Sequence, residues 1–346
     1  MAFDQQTQEL CTTEDQRLLY HSPTVAKPIF ECESVKTAAE SLPGRIPAEC
    51  ESPIRALVWA IPNAGMWLAM RDTILELQSA AQRHKTILFV AAPHYLIQDY
   101  LRYEALCRID TGESQASWLR DFLYAGPSTS FLVSVPPRRS DTHPGVASAI
   151  ARHFEIPLHH TGHSLIGGDI ILSQNTVFIG NKNYQNMTTA SFFGRADCTL
   201  LPEPSNGTPH HFLPRAYDLD MWFGHPRHDV CLVSEIATQS TPYMSGAVAV
   251  MTEELEESAR MLANQGYTVR RIPFDLSTLS SYVNAVIDSP RNVAYVPQYG
   301  SHDPLHWIAC DVYHNLGFKT ESIPINPAVL RFTHGSLRCH TLPVWS

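Results

Sequence analysis

Long apolar runs are missing from this 346-residue sequence. No stretch reaches the roughly 18 consecutive apolar residues from which a membrane-spanning helix is recognised. The first thirty residues also lack the basic and then apolar layout of a secretory signal peptide. Both absences predict a soluble protein of the cytoplasm that has no membrane partner.

Clustered positive charge is equally scarce. The formal net charge is −9, and the longest basic groupings are pairs such as Arg138-Arg139. This weighs against DNA as a partner, while an RNA bound at a local basic patch stays open. The eight cysteines show no CxxC pair and no regular spacing, so reduced thiols are expected. The "HHTGH" stretch over 159–163 has no acidic or cysteine partner at metal-site spacing, so neither a metal nor a cofactor is predicted.

The chain divides into a polar part and a regular part. Residues 1–50 have poor periodicity and predict a partly disordered extension, whereas residues 51–346 predict a single domain. From Ile54 onward, buried strands such as "IRALVWAI" alternate with amphipathic helices such as "RDTILELQSAAQRH". A later helix, "TEELEESARMLANQG", is predicted to begin with Thr252 as its N-cap and to stop at Gly266. The alternation predicts an α/β fold built from strand–strand–helix–strand modules.

Four aspartates and one cysteine are candidate site residues. Asp121 belongs to "SWLRDFLYAG", Asp169 to "LIGGDIILSQ", and both Asp218 and Asp220 to "YDLDMWF". Taken singly, each aspartate is more often a turn or cap residue than a ligand. Cys339, in "HGSLRCHTLPVWS", is expected on the final strand, either as a nucleophile or as one more buried thiol.

The order and spacing of these pieces carry more information than any one of them. "WLRD", "GGDIIL…TVFIGN", "DLDMWF" and "GSLRCHTLPVW" together resemble the guanidine-modifying enzymes of the pentein superfamily. These are arginine and agmatine deiminases, dimethylarginine hydrolases and amidinotransferases. The resemblance covers residues 54–346. It implies a five-bladed α/β-propeller of ββαβ modules around a central guanidinium site.

The resemblance also implies roles for individual residues. Cys339 would attack the guanidinium carbon to form a covalent amidino adduct, which requires a thiolate beside a cation. Asp121 and Asp220 would hold the guanidinium, because carboxylates match its planar fork of donors. The predicted substrate-binding set comprises Asp121, Asp220, Asp169, Arg120, Tyr184 and Arg338.

Three positions depart from the family pattern. Asp218 stands where the catalytic histidine belongs, Ile166 replaces the acid that orients this histidine, and Tyr184 replaces the arginine that reads a substrate carboxylate. Asp218 is therefore predicted as a catalytic residue, either as a third guanidinium ligand or as an acid–base in the histidine's place. Neighbourhood alone suggests several replacement histidines: His163, His210, His211, His225, His228 and His334. His340 is a poor candidate, because neighbouring residues on a strand point to opposite faces.

Three functions fit this pattern. The first is a transferase that recognises an arginine side chain and acts on an activated arginine, with arginyl-tRNA-dependent formation of an arginine-containing cyclodipeptide as the leading interpretation. That activity resembles the fungal arginine-containing cyclodipeptide synthases. The second is a Cys339-dependent guanidine hydrolase or amidinotransferase that uses a replacement acid–base. The third is a binding module without activity. The expected partner is therefore an arginine-containing small molecule or arginyl-tRNA.

Overall fold

The structure of this protein is a computed structural model. It describes residues 42, 44–135, 144–160, 167–180, 192–201, 219–237, 245–326, 330 and 335–346. The helices are α1 (Ala64–Arg83), α2 (His94–Asp99), α3 (Pro144–His153), α4 (Ser245–Asn264) and α5 (Pro304–Asn315). The strands are β1 (Ile54–Ala60), β2 (Ile87–Ala92), β3 (Cys107–Asp110), β4 (Leu123–Ala125), β5 (Leu132–Ser134), β6 (Leu158–His160), β7 (Ile170–Leu172), β8 (Thr176–Ile179), β9 (Asp197–Leu200), β10 (Phe223–Arg227), β11 (Val230–Ile236), β12 (Thr268–Asp275), β13 (Ser280–Ser281), β14 (Val286–Asp288), β15 (Val293–Tyr299), β16 (Lys319–Ile325) and β17 (Thr341–Trp345).

The described strands form five separate sheets that share one pairing pattern. In each sheet a central strand pairs antiparallel with one neighbour and parallel with the other. The central strands are β1, β5, β8, β11 and β15. Helices α1, α3, α4 and α5 lie in the parallel crossovers of four of these sheets. The prediction of a mixed α/β fold is therefore confirmed.

Local sequence explains why these elements begin where they do. Asn63 caps α1 by accepting a hydrogen bond from the Met66 amide at 2.9 Å. Asp303 caps α5 in the same way. Pro304 fits the first helical position, because the backbone N–H that proline lacks would have no partner within the helix there. In β1, six of the seven residues are buried, as expected for a strand with a parallel neighbour in a sheet covered by helices.

The prediction for the start of α4 was wrong. Thr252 is not an N-cap, because the helix already begins at Ser245. The Thr252 hydroxyl instead donates to the Val248 carbonyl at 2.7 Å, which is the back-bond that threonine forms inside a helix. The apolar run "GAVAVM" before Thr252 continues the helical pattern, so the acidic first turn suggested by the sequence lies mid-helix.

The core is continuous through most of these sheets. Its fully buried side chains include Trp59 and Tyr295. A second apolar cluster around Trp222 includes Cys339, so the predicted site cysteine lies inside the packed domain. Within the part of the chain that is described, no helix is both long and apolar enough to cross a membrane.

Candidate active site

Four short turns lie close together, each just before the edge strand that pairs antiparallel with the central strand of a sheet. They are the 3₁₀ turns Leu119–Asp121, Gly167–Asp169 and Leu219–Met221, and the turn over 337–340. The first turn contacts the second and the second contacts the third, while β17 contacts the first. These turns lead into β4, β7, β10 and β17. The topology therefore gathers "WLRD", "GGD", "LDM" and "RCH", which are far apart in sequence.

Gly167 is required by the closeness of two of these turns. A Cβ atom at position 167 would lie 1.8 Å from the carbonyl oxygen of Arg120 and 2.9 Å from the hydroxyl of Tyr124. Any side chain would force the two turns apart. The Gly-Gly pair seen in the sequence is thus a packing requirement of the site as well as a turn signal.

Cys339 lies in a turn and not on the final strand, which begins only at Thr341. The side chain of Asn284 holds this turn, because its Oδ1 accepts from the Arg338 amide at 2.9 Å and from the Cys339 amide at 3.3 Å. Its Nδ2 donates to the Sγ of Cys339 at 3.2 Å. The expectation that Cys339 is on a strand was wrong, because backbone amides of this segment bond to a side chain and not to a strand neighbour.

Asp220 is the carboxylate next to this thiol. Its side chain is fully buried, and the two carboxylate oxygens lie 3.7 and 3.6 Å from Cys339 Sγ, within reach of a weak S–H donor. Asn284 Nδ2 also donates to the Asp220 backbone carbonyl at 3.2 Å. Asn284 therefore fixes the cysteine and the aspartate relative to each other.

Behind Asp220 lies a cluster of buried charges. Arg338 Nη1 donates to Asp220 Oδ2 at 2.7 Å, and Arg338 Nε donates to Glu49 Oε1 at 2.9 Å. Arg120 Nη2 donates to the same Glu49 oxygen. Arg120 and Arg338 were predicted to bind substrate, and the structure places both inside the domain with protein carboxylates as partners.

The charges of this cluster support one another. Burial raises the pKa of Glu49, but the guanidinium groups of Arg338 and Arg120 outweigh burial and leave this pKa below its usual value. Burial lowers the pKa of Arg338, but Glu49 and Asp220 outweigh it and raise this pKa. For Arg120, burial and the neighbouring Arg338 cation lower the pKa. Glu49 and Arg338 are therefore held in their charged forms.

Two further predicted site residues, Asp169 and Asp121, belong to the second and the first of these turns. Asp169 is completely buried at the end of the second turn, and its carbonyl accepts from the Gly180 amide at 3.0 Å. Asp121 occupies the last position of the first turn. Asp218 and Tyr184 lie outside the described residues, as do His163, His210, His211 and His334. Within the described ranges, no group of three or more His, Cys, Asp or Glu side chains is arranged to hold a metal ion.

His225, one of the suggested histidines, and His340, named above as a poor candidate, are both buried and bonded elsewhere. His225 Nδ1 lies 3.0 Å from the Val230 carbonyl, and His340 Nδ1 lies 3.0 Å from the Ser117 carbonyl. The His340 ring also stacks on Trp59. Burial lowers the pKa of each of these two histidines to about 4. Both are neutral at pH 7, which does not suit either of them to be the general acid beside Cys339.

These two histidines predict acid sensitivity of the fold. An unfolded histidine takes up a proton near pH 6.5, whereas the folded His225 and His340 do so only near pH 4. Their contribution to stability is thus complete above about pH 6.5 and is lost as the pH falls toward 4. Urea unfolding between pH 7.5 and 4.5 should show this loss. In His340→Gln, the free energy of unfolding should depend less steeply on pH, by up to about 1.4 kcal/mol per pH unit. An unchanged pH dependence in His340→Gln would contradict the prediction.

Sequence reasoning missed two residues that the structure places in the cluster. Asn284, in "SSYVNAVID", is a buried polar residue among apolar neighbours in the connection between β13 and β14, and this contrast is a usable signal. Glu49 comes from the stretch assigned to the polar extension and carries no such signal. The last residues of that stretch pack against the domain, since Ile46, Ala48 and Cys50 are buried.

Proteins of known structure share this architecture, although comparisons of sequence find none. No protein-family model matches the chain, and no curated protein matches it significantly in sequence. An agmatine deiminase of Enterococcus faecalis matches in structure with a TM-score of 0.67 at 13% identity, covering 87% of this chain and 96% of that chain. A putative arginine deiminase of Porphyromonas gingivalis matches with a TM-score of 0.63 at 18% identity, covering 87% and 98%. An amidinotransferase of Microseira wollei matches with a TM-score of 0.56 at 9% identity, covering 87% and 96%.

This chain therefore shares its fold with these three solved structures. The chain has the pentein fold, and the resemblance predicted from its motifs is confirmed at the level of the fold. At 9–18% identity these likenesses establish the fold alone. The activity has to be argued from the site itself.

Proposed function

We propose that this protein is an enzyme that binds the guanidinium group of an arginine-derived substrate against Asp220 and acts on it with the thiol of Cys339. The observation that carries the proposal is the distance of 3.6 Å between Cys339 Sγ and the nearer oxygen of the buried Asp220 carboxylate. A guanidinium paired with this carboxylate would bring its central carbon next to the sulfur. The proposal includes Asp121 as a second ligand and the five sheets as the blades of a closed propeller around the site.

The electrostatics of the pair support binding before reaction. A thiol that faces a carboxylate loses its proton reluctantly, because two negative charges would then lie together. A substrate guanidinium between the two groups reverses this balance and favours the thiolate. The cysteine would thus become nucleophilic only when a cation is bound.

The proposed reaction is covalent guanidine chemistry. The thiolate adds to the guanidinium carbon, a carbon–nitrogen bond breaks, and the leaving amine or ammonia takes a proton. Water or an acceptor amine then attacks the amidino adduct and regenerates the thiolate. Asp218, at the histidine position of the family pattern, is the proposed acid–base for both proton transfers. Tyr184, in place of the arginine that reads a carboxylate, favours a substrate without a free α-carboxylate, such as agmatine or an arginine ester.

Transfer from an activated arginine is the second candidate, and the departure at Asp218 favours it. Without the family's histidine, guanidine hydrolysis loses a group that typically contributes 10²–10⁴-fold in rate. Arginyl-tRNA would then supply an esterified arginine to form an arginine-containing cyclodipeptide, with the guanidinium serving only as a recognition group. The guanidinium and the ester carbonyl lie at opposite ends of arginine. In this reaction Cys339 would hold the side chain and would not accept the acyl group.

Product analysis separates the two candidates. The purified protein is incubated with agmatine, arginine methyl ester or arginyl-tRNA, each together with free amino acids as acceptor amines, and the products are identified by mass spectrometry. We expect the carbamoyl or amidino-transfer product of agmatine, and a covalent adduct of intact protein that maps to Cys339. An arginine-containing dipeptide without any guanidine product would instead establish the second candidate. Absence of turnover and of guanidinium binding would overturn both.

A further inference from the structure

The N-terminal segment 46–51 contributes a charged side chain to the centre of the domain. Ile46, Ala48 and Cys50 are buried against the core. Arg195, whose side chain is fully buried, donates through Nη2 to the Ile46 carbonyl at 2.7 Å and so fixes the segment. Between these anchors, the side chain of Glu49 is only 17% exposed.

A chain of ionic contacts connects Glu49 with the cysteine. Glu49 Oε1 accepts from both Arg120 and Arg338. The other end of the Arg338 guanidinium pairs with Asp220, and Asp220 lies beside Cys339 Sγ. In this chain of contacts, Glu49 is separated from the thiol by Arg338 and Asp220. Its influence on the reaction must therefore act through the charges between them.

Charge balance shows what Glu49 does there. Arg120 and Arg338 bring two positive charges, and Asp220 and Glu49 bring two negative charges, so the four groups together are neutral. Without Glu49 the same three groups carry one net positive charge in a buried place. This excess would repel a cationic substrate and would draw Asp220 toward the arginines.

We propose that Glu49 is a positioning residue of the active site, which neutralises the two internal arginines so that the charge of Asp220 remains available to the substrate. Segment 46–51 is then part of the catalytic unit. The substrate half of this inference rests on the proposed guanidinium-binding function. The half that concerns the thiol does not, because the charge balance acts on Cys339 even when no substrate is present.

Glu49→Gln tests the proposal by two effects of opposite kind. The excess positive charge should weaken binding of agmatine, so KM should rise roughly tenfold. The same charge should favour the Cys339 thiolate, so the pH at which iodoacetamide alkylates Cys339 at half its maximal rate should fall by about one unit. Peptide-resolved mass spectrometry follows Cys339 separately from the exposed Cys107. A loss of packing alone would not lower this pH.

Glu51→Gln is the matched control. Glu51 belongs to the same segment, accepts from the Ala48 amide at 2.7 Å and pairs with Arg45. Among the described residues, it forms no hydrogen bond or ion pair with Arg120, Arg338 or Asp220. The Glu51→Gln substitution removes the same charge and loosens the same segment. It should therefore lower the stability of the protein without changing the pH dependence of Cys339 alkylation. An equal shift in Glu51→Gln, or no shift in a folded Glu49→Gln, would overturn the proposal.

Arg120→Gln keeps the test decisive if Glu49→Gln does not fold. This variant removes a positive charge from the same cluster, so the alkylation profile should move to higher pH by a similar amount. A shift to lower pH, or none, would also overturn the proposal. If the profiles move as expected while agmatine neither binds nor protects Cys339 from alkylation, the positioning role stands and the proposed substrate is wrong.

Discussion

Cys339→Ala should abolish turnover while leaving guanidinium binding nearly unchanged. If the sulfur forms the bond to the guanidinium carbon, no neighbouring group can replace it, and we expect kcat to fall by on the order of 10⁴-fold or more. Agmatine should still bind, because the carboxylate of Asp220 and its partner Arg338 are untouched. Binding is measured by calorimetry, and turnover by product formation over hours. The covalent adduct of intact protein should be absent.

Cys231→Ala is the matched control for this experiment. Cys231 is a buried thiol of the same apolar cluster as Cys339, and burial raises its pKa to about 12, which makes it unreactive at neutral pH. Its loss should cost stability through a small cavity and leave kcat unchanged. Arginyl transfer that survives in Cys339→Ala would show that the thiol is not the nucleophile. That result would favour the second candidate function.

Much of the fold follows from the sequence because the periodicity of buried residues is a local property. Strand β1 is found where it was predicted, and the predicted helix "RDTILELQSAAQRH" corresponds to the C-terminal part of α1, because apolar spacing is visible in a short stretch. The start of α4 was misplaced because Thr252 offered a cap signal inside a longer apolar pattern. A local signal of that kind cannot exclude a competing helix that begins seven residues earlier.

Only part of the candidate site could be predicted from the sequence in this way. The motifs predicted that Cys339 and Asp220 belong together, and the structure brings them within 3.6 Å. They did not predict that Arg338 turns inward, because the partner of an arginine depends on residues far away in sequence. Arg338 meets Glu49 across 289 positions. Contacts between residues so far apart in sequence depend on how whole sheets pack together, and no short sequence pattern predicts them.

Asp220→Asn should remove substrate binding and lower stability together, because the carboxylate has two partners. On the protein side, Arg338 would lose one of its two counter-charges, and breaking a buried ion pair of this kind costs about 3–5 kcal/mol. On the substrate side, an amide cannot neutralise a guanidinium, so agmatine should no longer protect Cys339 from alkylation. Urea unfolding measures the first effect, and the alkylation rate with and without agmatine measures the second.

Asp288→Asn separates the two effects. Asp288 is as deeply buried as Asp220 and pairs with an arginine as well, since Arg291 Nη1 donates to its Oδ2 at 2.9 Å. It lies at the start of another turn and has no contact with Cys339 in the described structure. Asp288→Asn should therefore lose stability and still allow agmatine to protect the thiol. Equal protection in Asp220→Asn would mean that Asp220 serves only Arg338, and the guanidinium site would have to lie elsewhere. Loss of protection in Asp220→Asn alone would establish that one carboxylate faces an internal guanidinium on one side and the substrate on the other.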